Sequence, residues 1–482
     1  MIDYIEFKNF RNLDGKRYVI NTPLTAIVGA NSSGKTNILD GIRYAFSAIS
    51  GDYFKVEKTD FKDSDDNLLI IIKVALKDEA IPSLSFADDD GSKKYGFSLR
   101  IMKTQSGRYK REVTLLTGEQ VDWDILTEDK TIPSVYAIPL ARTDSIHSSN
   151  TDISVADFIK SENDYRKIKE ASKKQIKDQM SEKIEQFKHL CEAFNHSLDI
   201  DISDPIISNE KLFLVEGDYE HGVKIGSGYK SIANILLHTF NDGHTILLID
   251  EIENHIHPSL LRTFLRELRK IPNITVITTT HSPVVVNECF IEEIIDVSSR
   301  RIDELDRDTV KKLNIFLHPG RGEIIFADNI ILVEGYTEEL LLKYYIQKID
   351  NNINWTVVNV AGVMFKPYID LAKLFGKRVV VISDNDKSNN GVDSNRFAKL
   401  CEYCKERTVK VIEMDNTLES DLVLSKILDE NNSLLKKLDG SNYYIAKDNH
   451  KKTQIIHNLM SDEADLSKWH VIKELCDEFR NN

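Results

Sequence analysis

The stretch "LTAIVGANSSGKTN", Leu24 to Asn37, decides the fold of the first half of this chain. Leu24 to Val28 is a short apolar run of the kind that forms a buried strand, and helix-forming sequence opens after Thr36. Between them, Gly29-Ala-Asn-Ser-Ser-Gly34-Lys35-Thr36 satisfies GxxxxGK[ST] in full. The chemistry of a phosphate-binding loop demands those types. Gly29 and Gly34 let the backbone N–H groups of Asn31, Ser32 and Ser33 wrap around phosphates, and Asn37 lies in the first turn of the helix behind them. Lys35 reaches the β and γ oxygens, and the Thr36 hydroxyl suits Mg²⁺. A glycine-rich turn with no ligand is the bland alternative, and the strand before and helix after it argue against that.

Further along, "HTILLIDEIENHIHP" carries a second buried strand, "TILLI", that runs into Asp250 and Glu251. P-loop enzymes place a Mg²⁺-holding aspartate at such a strand end, and the adjacent Glu251 suits a general base for water. A third strand, "ITVITTT", ends at His281, which is a candidate γ-phosphate sensor, although a lone histidine after a strand is more often structural. Gly226, Ser227 and Gly228 open an apolar helix and offer a second helix N-terminus able to meet an anion.

Composition bounds the rest. At 482 residues, two to four domains are the prior, and 41% hydrophobic with 29% charged residues is ordinary globular usage. No apolar run approaches the roughly 18 residues that span a bilayer, and "MIDYIEFKNF" alternates like a strand rather than reading as a signal peptide, so a cytoplasmic protein without a membrane contact is expected. Five cysteines argue against a disulfide framework, and Cys401 and Cys404 read as helical thiols rather than half of a zinc site. The net charge of −14 opposes non-specific nucleic-acid binding by the whole surface, but leaves local basic patches and bound divalent ions free to reverse the field. The interval from about 150 to 200 has the charge pattern and apolar spacing of a long amphipathic helix, either a dimerising insert or a helix packed on its own domain.

The second half changes pattern at about residue 323, after a polar connector. Strands "NIILVEG", "WTVVNV" and "RVVVISDND" alternate with helices "TEELLLKYYIQKI" and "KPYIDLAKLF", which predicts a small parallel sheet. Glu334 ends the first strand with Glu338 one helical turn later, and Asp384 and Asp386 end the third. Ligand sites of open parallel sheets lie at that edge, so both acid groups should face one crevice. Carboxylates gathered there repel one another unless a cation neutralises them, and oxygen-only ligands favour Mg²⁺, Mn²⁺ or Ca²⁺. "SDND" by itself would more often be a turn. A pair of such ions would serve phosphodiester hydrolysis.

The series "FKNFRNL", "GANSSGKTN", "GSGYKS", "LLIDEIENHIHP" and "ITTTHSP" resembles the ABC-type ATPase head of the RecF, SMC and OLD (overcoming lysogenization defect) proteins. "LVEGYTE", "VNVAG" and "VVVISDND" resemble a TOPRIM domain, and a head joined to TOPRIM is the layout of the OLD family, which includes Gabija-type and retron-associated defence nucleases. The fold class expected is therefore α/β: an ABC/RecF-like P-loop ATPase domain with a helical insert over 1–322, then a small parallel-sheet TOPRIM domain over 323–482. The resemblance implies ATP contacts from Arg11 and the loop residues, with Ser227 and Gly228 acting on the nucleotide of a partner head in a homodimer or larger assembly. "GSGYKS" departs from the usual "LSGG" of that class. The resemblance also implies metal ligation by Glu334, Glu338, Asp384, Asp386, Glu419 and Asp421, and a catalytic lysine at Lys452, with Lys451 as the alternative. ATP and Mg²⁺ are then the cofactors and nucleic acid the substrate, DNA ahead of RNA, in anti-phage defence with a separate sensor or activator. A RecF-like clamp that binds DNA without cutting is the rival. A topoisomerase or primase is disfavoured, because no Cys/His cluster follows residue 420 and little chain remains.

Overall fold

The computed structural model describes residues 1–20, 22–62, 69–77, 80–88, 91–104, 106–129, 131–139, 198–202, 212–216, 243–297, 307–317, 322–349, 355–362, 364–387, 393–438 and 441–480, with isolated positions between 185 and 239. The chain divides into two compact units, Met1–Leu305 and Asp306–Asn482. The helical insert expected over 150–200 lies almost wholly outside the described residues, as do Gly226 and Ser227.

In the first unit, five strands form a parallel sheet in the order Ile294–Asp296, Leu24–Val28, Ile274–Thr279, Thr245–Asp250, Ser134–Pro139. Leu24–Val28 and Ile274–Thr279 are buried at every position, which is why they read as continuous apolar or β-branched runs rather than alternating ones. An antiparallel sheet lies alongside in sequence, in the order Arg17–Val19, Ile2–Lys8, Leu69–Leu76, Lys93–Lys103, Ser85–Ala87, with Tyr109–Leu115 also paired to Lys93–Lys103. The helix Lys35–Ser50 buries Ile38, Ile42, Ala45, Phe46 and Ile49 between the two sheets' residues in one core. Gly41 is required in that helix, because a Cβ there would stand 2.3 Å from the Phe7 ring.

The second unit holds a four-stranded parallel sheet in the order Trp355–Asn359, Asn329–Val333, Arg378–Asp384, Lys410–Met414. The three strands and two helices expected from the alternation are present, with helices Tyr336–Ile349 and Phe365–Leu374 between them. A fourth strand, Lys410–Met414, was not read from the sequence. It follows the helix Asn395–Glu406, whose Ser394 caps the Phe397 amide. The polar connector before residue 323 contains a helix, Arg307–Leu317, which buries Leu313 and packs on Phe365–Leu374. That packing groups it with the second compact unit, Asp306–Asn482. Cys401 and Cys404 are free thiols on the helix Asn395–Glu406. No helix among the described residues is long and apolar enough to cross a membrane.

Candidate functional site

Each unit gathers polar groups at the carboxyl ends of its parallel strands. In the first unit the strand Leu24–Val28 hands over to a loop in which Gly29, Ser32 and Gly34 all take positive φ, at 150°, 62° and 106°. A Cβ on Gly34 would come within 2.4 Å of Asn12 Oδ1, so this position needs glycine for space as well as for φ. Asn12 was not singled out from the sequence, yet it braces the loop. Its Nδ2 donates to the Ser33 carbonyl at 2.7 Å and its Oδ1 accepts from Asn37 Nδ2 at 2.8 Å. The Ser33 hydroxyl is buried without a hydrogen-bond partner, whereas Asn31 and Ser32 are exposed.

Lys35 folds over the loop, its Nζ donating at 3.0 Å to the carbonyls of both Gly29 and Ala30. Burial pulls its ammonium below the ordinary lysine range, against the opposing pull of Glu251, Asp250 and Glu253. The Thr36 hydroxyl donates to Asp250 Oδ1 at 3.3 Å, and Thr279 donates to the same oxygen at 2.6 Å. Three chain segments thus meet at one carboxylate oxygen. Glu251 sits at φ 55°, its amide donating to Thr279 Oγ1 at 2.8 Å and its Oε2 accepting from Asn254 Nδ2 at 2.8 Å. His281 is exposed, and its backbone N–H donates to Glu253 Oε1 at 2.7 Å. Glu253 Oε2 is buried with no partner. Gly228 lies against the turn after Asp250, where a Cβ would be 2.6 Å from the His255 carbonyl oxygen.

Arg11 is already engaged. Its guanidinium donates to Asn37 Oδ1, Asp40 and Asp60 at 2.6–2.9 Å. Burial would lower its pKa, but the two aspartates outweigh that and raise it. Arg11 thus links Asn37 and Asp40 of the helix Lys35–Ser50 to Asp60.

In the second unit, Glu334 and Asp384 end neighbouring strands, as the alternation implies. Glu334 Oε1 accepts from Ser383 Oγ at 2.6 Å and from the Asp384 amide at 3.1 Å. Arg396, ten positions after Asp386, bridges the two acid groups: it lies 3.2 Å from Glu334, 2.6 Å from Asp386 Oδ2 and 3.1 Å from the Asp384 carbonyl. Nothing in the sequence marked this arginine, which looks there like one more polar residue in a helix. Glu338 is 2% exposed and pairs at 3.2 Å with Lys452 Nζ. Burial would lower the Lys452 pKa, but Glu338, Glu419 and Asp384 together hold it above the ordinary value. Lys451 is turned to Gln454 on the exposed side of the same helix.

Asp384 carries the sharpest electrostatic signal. Burial first, then Glu334, Glu338 and Asp386, pushes its carboxyl up to about 9, with Lys452 opposing. Its Oδ1 is buried and has no hydrogen-bond partner. Asp421, by contrast, is satisfied by structural donors: the Trp469 indole N–H, and the Asp415 amide at 3.1 Å. It points into the packing of the carboxyl-terminal helices and does not share the contacts of the other acids. Among the described residues no closed set of three acids, histidines or cysteines stands at ligand spacing; Glu334 and Asp386 instead converge on Arg396, and Glu338 on Lys452.

Two family models match these units. One, described as "AAA domain, putative AbiEii toxin, Type IV TA system", covers residues 24–287, and the other, "Overcoming lysogenization defect protein-like, TOPRIM domain", covers residues 325–386. Among curated proteins, Endonuclease GajA of Bacillus cereus (strain HuB5-5) is 24% identical over 43% of this chain and 35% of its own length. Old nuclease of Escherichia phage P2 is 24% identical over 46% of this chain and 41% of its own length. The matched part thus spans less than half of either relative. The solved structures include an SMC head bound to the C-terminal winged-helix domain of ScpA, at 17% identity and a TM-score of 0.41, covering 61% of this chain and 93% of that one. On the first model, which takes in more than half of its residues, the chain belongs to the AAA-domain family, and it carries an overcoming-lysogenization-defect (OLD)-like TOPRIM domain behind that ATPase.

Proposed function

We propose that this protein is an ATP-regulated endonuclease that hydrolyses phosphodiester bonds of nucleic acid, DNA in preference to RNA, at a divalent-metal site in its second unit. The observation that carries the reading is Asp384: a buried carboxylate with an unpartnered oxygen, set among Glu334, Glu338 and Asp386 at the edge of a parallel sheet. Such a carboxyl is held protonated by burial first and then by its neighbours, and would become a ligand once a cation offsets them. The donor set is all oxygen, which fits Mg²⁺ or Mn²⁺, with Ca²⁺ as a binding but not necessarily reactive substitute. Glu334, Glu338, Asp384, Asp386 and Glu419 are the residues that would hold it. Bound there, the metal would supply an activated water and neutralise charge on the phosphate.

The chain's own side chains do the rest. Lys452, kept protonated by Glu338 and Glu419, is positioned to offset the extra negative charge of a pentacovalent phosphate. Ser383 and the Asp384 amide fix the Glu334 carboxylate in one orientation. In the first unit, Lys35, Thr36 and Asp250 form the phosphate and Mg²⁺ ends of an ATP site, Glu251 is the base for water, and His281 is the candidate γ-phosphate sensor. Head-to-head dimerisation, with Ser227 and Gly228 completing the partner's nucleotide site, would let ATP govern access to the acids. The relatives' printed names, an endonuclease and a phage nuclease, support the nuclease reading, and we place it in anti-phage defence in the cytoplasm, with a separate sensor or activator.

The test is cleavage of plasmid DNA and of tRNA in Mg²⁺ or Mn²⁺, with and without ATP, by the wild type, Glu334→Ala and Lys35→Ala. Cutting that Glu334→Ala abolishes supports the site, and the Lys35→Ala and no-ATP lanes give the sign of the coupling. Cutting that survives Glu334→Ala sinks the site. ATP-dependent DNA binding without cutting, unchanged in lysate from infected cells, would favour the clamp.

A further inference from the structure

Arg396 has a second side. Its guanidinium faces Glu334 and Asp386, while the same residue lines a cavity of about 430 Å³ between the starts of the helices Phe365–Leu374 and Asn395–Glu406. The floor is apolar, from Met364, Phe365 and Leu400, and Met364 is half-exposed at the mouth. The rim is cationic. Lys399 is exposed with no ion-pair partner among the described residues, and Lys366 lies at 4.7 Å over the Tyr403 ring, whose hydroxyl donates to Asp370 at 2.6 Å. Arg396 Nε is buried and lacks a hydrogen-bond partner.

We propose that this cavity receives one unpaired nucleobase of the strand being cut, with Lys366, Arg396 and Lys399 on the phosphates that flank it. This inference rests on the nuclease reading and extends it to substrate selection. Lys366 and Lys399 beside an apolar floor, on a chain of net charge −14, suit a polyanion carrying flat apolar groups. The volume is in the range that holds a small ring system, and a base inside a duplex exposes only its edges and could not enter. Because Arg396 touches the Glu334 and Asp386 carboxylates, the seated nucleotide lies next to the acid cluster. The site then selects single strands, flaps or locally opened duplexes over continuous double helix.

The experiment measures binding rather than cutting, so it is read separately from the nuclease test. Fluorescein-labelled oligonucleotides of one sequence, as single-stranded DNA, single-stranded RNA and duplex DNA, are titrated with the full chain in Ca²⁺ and followed by anisotropy. Met364→Asp and Lys399→Glu, both at exposed positions, are compared with the wild type and with Lys436→Glu, an exposed charge reversal outside the cavity. The expected result is a loss of about tenfold in single-strand affinity for each cavity variant, with Lys436→Glu and duplex binding changed by less than about twofold. In parallel, single strands carrying 5-iodouracil should photo-crosslink within residues 364–367 or 396–400. Equal losses for Lys436→Glu, unchanged single-strand binding in both cavity variants, or crosslinks confined elsewhere would overturn the proposal. A preference for DNA or RNA among the single strands assigns the sugar. If single strands bind as expected but Glu334→Ala does not alter cleavage, the cavity stands and the assigned metal site falls.

Discussion

Lys452 Nζ lies 3.2 Å from Glu338 Oε1 across 114 positions of sequence, joining the helix Tyr336–Ile349 to the helix Asn449–Ser461. Glu338 is almost wholly buried, so the lysine is its main charge partner. Removing one member of such a pair leaves a buried charge uncompensated. Lys452→Met should therefore destabilise the chain by about 1–3 kcal/mol in urea unfolding, and remove cleavage by about two orders of magnitude or more. Lys451→Met, on the exposed side, should do neither. Equal effects from the two substitutions would refute the assignment.

Asp384 gives a pH dependence with a definite sign. Its carboxyl is pushed up to about 9 by burial and by Glu334, so between the usual carboxylate range and about 9 the folded chain holds a proton that the unfolded chain has lost. In chelator, stability should fall as pH rises through that window. Asp384→Asn should flatten the slope and raise the neutral-pH melting temperature by about 2–4 °C. Added Mn²⁺ should stabilise the wild type and leave Asp384→Asn unmoved. A steeper slope in the variant would contradict the account.

Asp421 separates a structural acid from a ligand. Its oxygens accept from the Trp469 indole and the Asp415 amide, and burial raises its pKa against those bonds. Trp469→Phe should cost about 1–3 kcal/mol by leaving a buried acceptor unpaired, with metal affinity measured by calorimetry unchanged. A tenfold loss of metal affinity would return Asp421 to the ligand set.

Glu251 and Lys35 should fail differently. Glu251→Gln keeps the Asn254 contact within reach and should preserve ATP binding while slowing hydrolysis by about 10²–10⁴-fold. Lys35→Ala should abolish binding of a fluorescent ATP analogue. Glu251→Gln turning over at the wild-type rate would move the base elsewhere, with Glu253 the next candidate, since its Oε2 is buried and unpartnered.

Local sequence was enough for the parts of this protein whose physics is local. A strand, a glycine loop and a helix in "LTAIVGANSSGKTN" are set by backbone conformation and burial over a dozen positions, and Gly34 at φ 106° is where they place it. Alternating strands and helices gave the second sheet, and the rule for parallel sheets put Glu334 and Asp384 on one edge. Tertiary structure decided what depends on which side chains meet. Asn12 against Gly34, Arg396 between Glu334 and Asp386, and Asp421 under Trp469 are contacts whose partners carry no shared motif. The helix Arg307–Leu317 was missed for a related reason: Leu313 is buried and the helix packs on Phe365–Leu374, a tertiary contact that its own sequence does not announce. Charge and spacing name the candidates for a site, but burial and the neighbour across the fold decide which carboxylate is left without a partner.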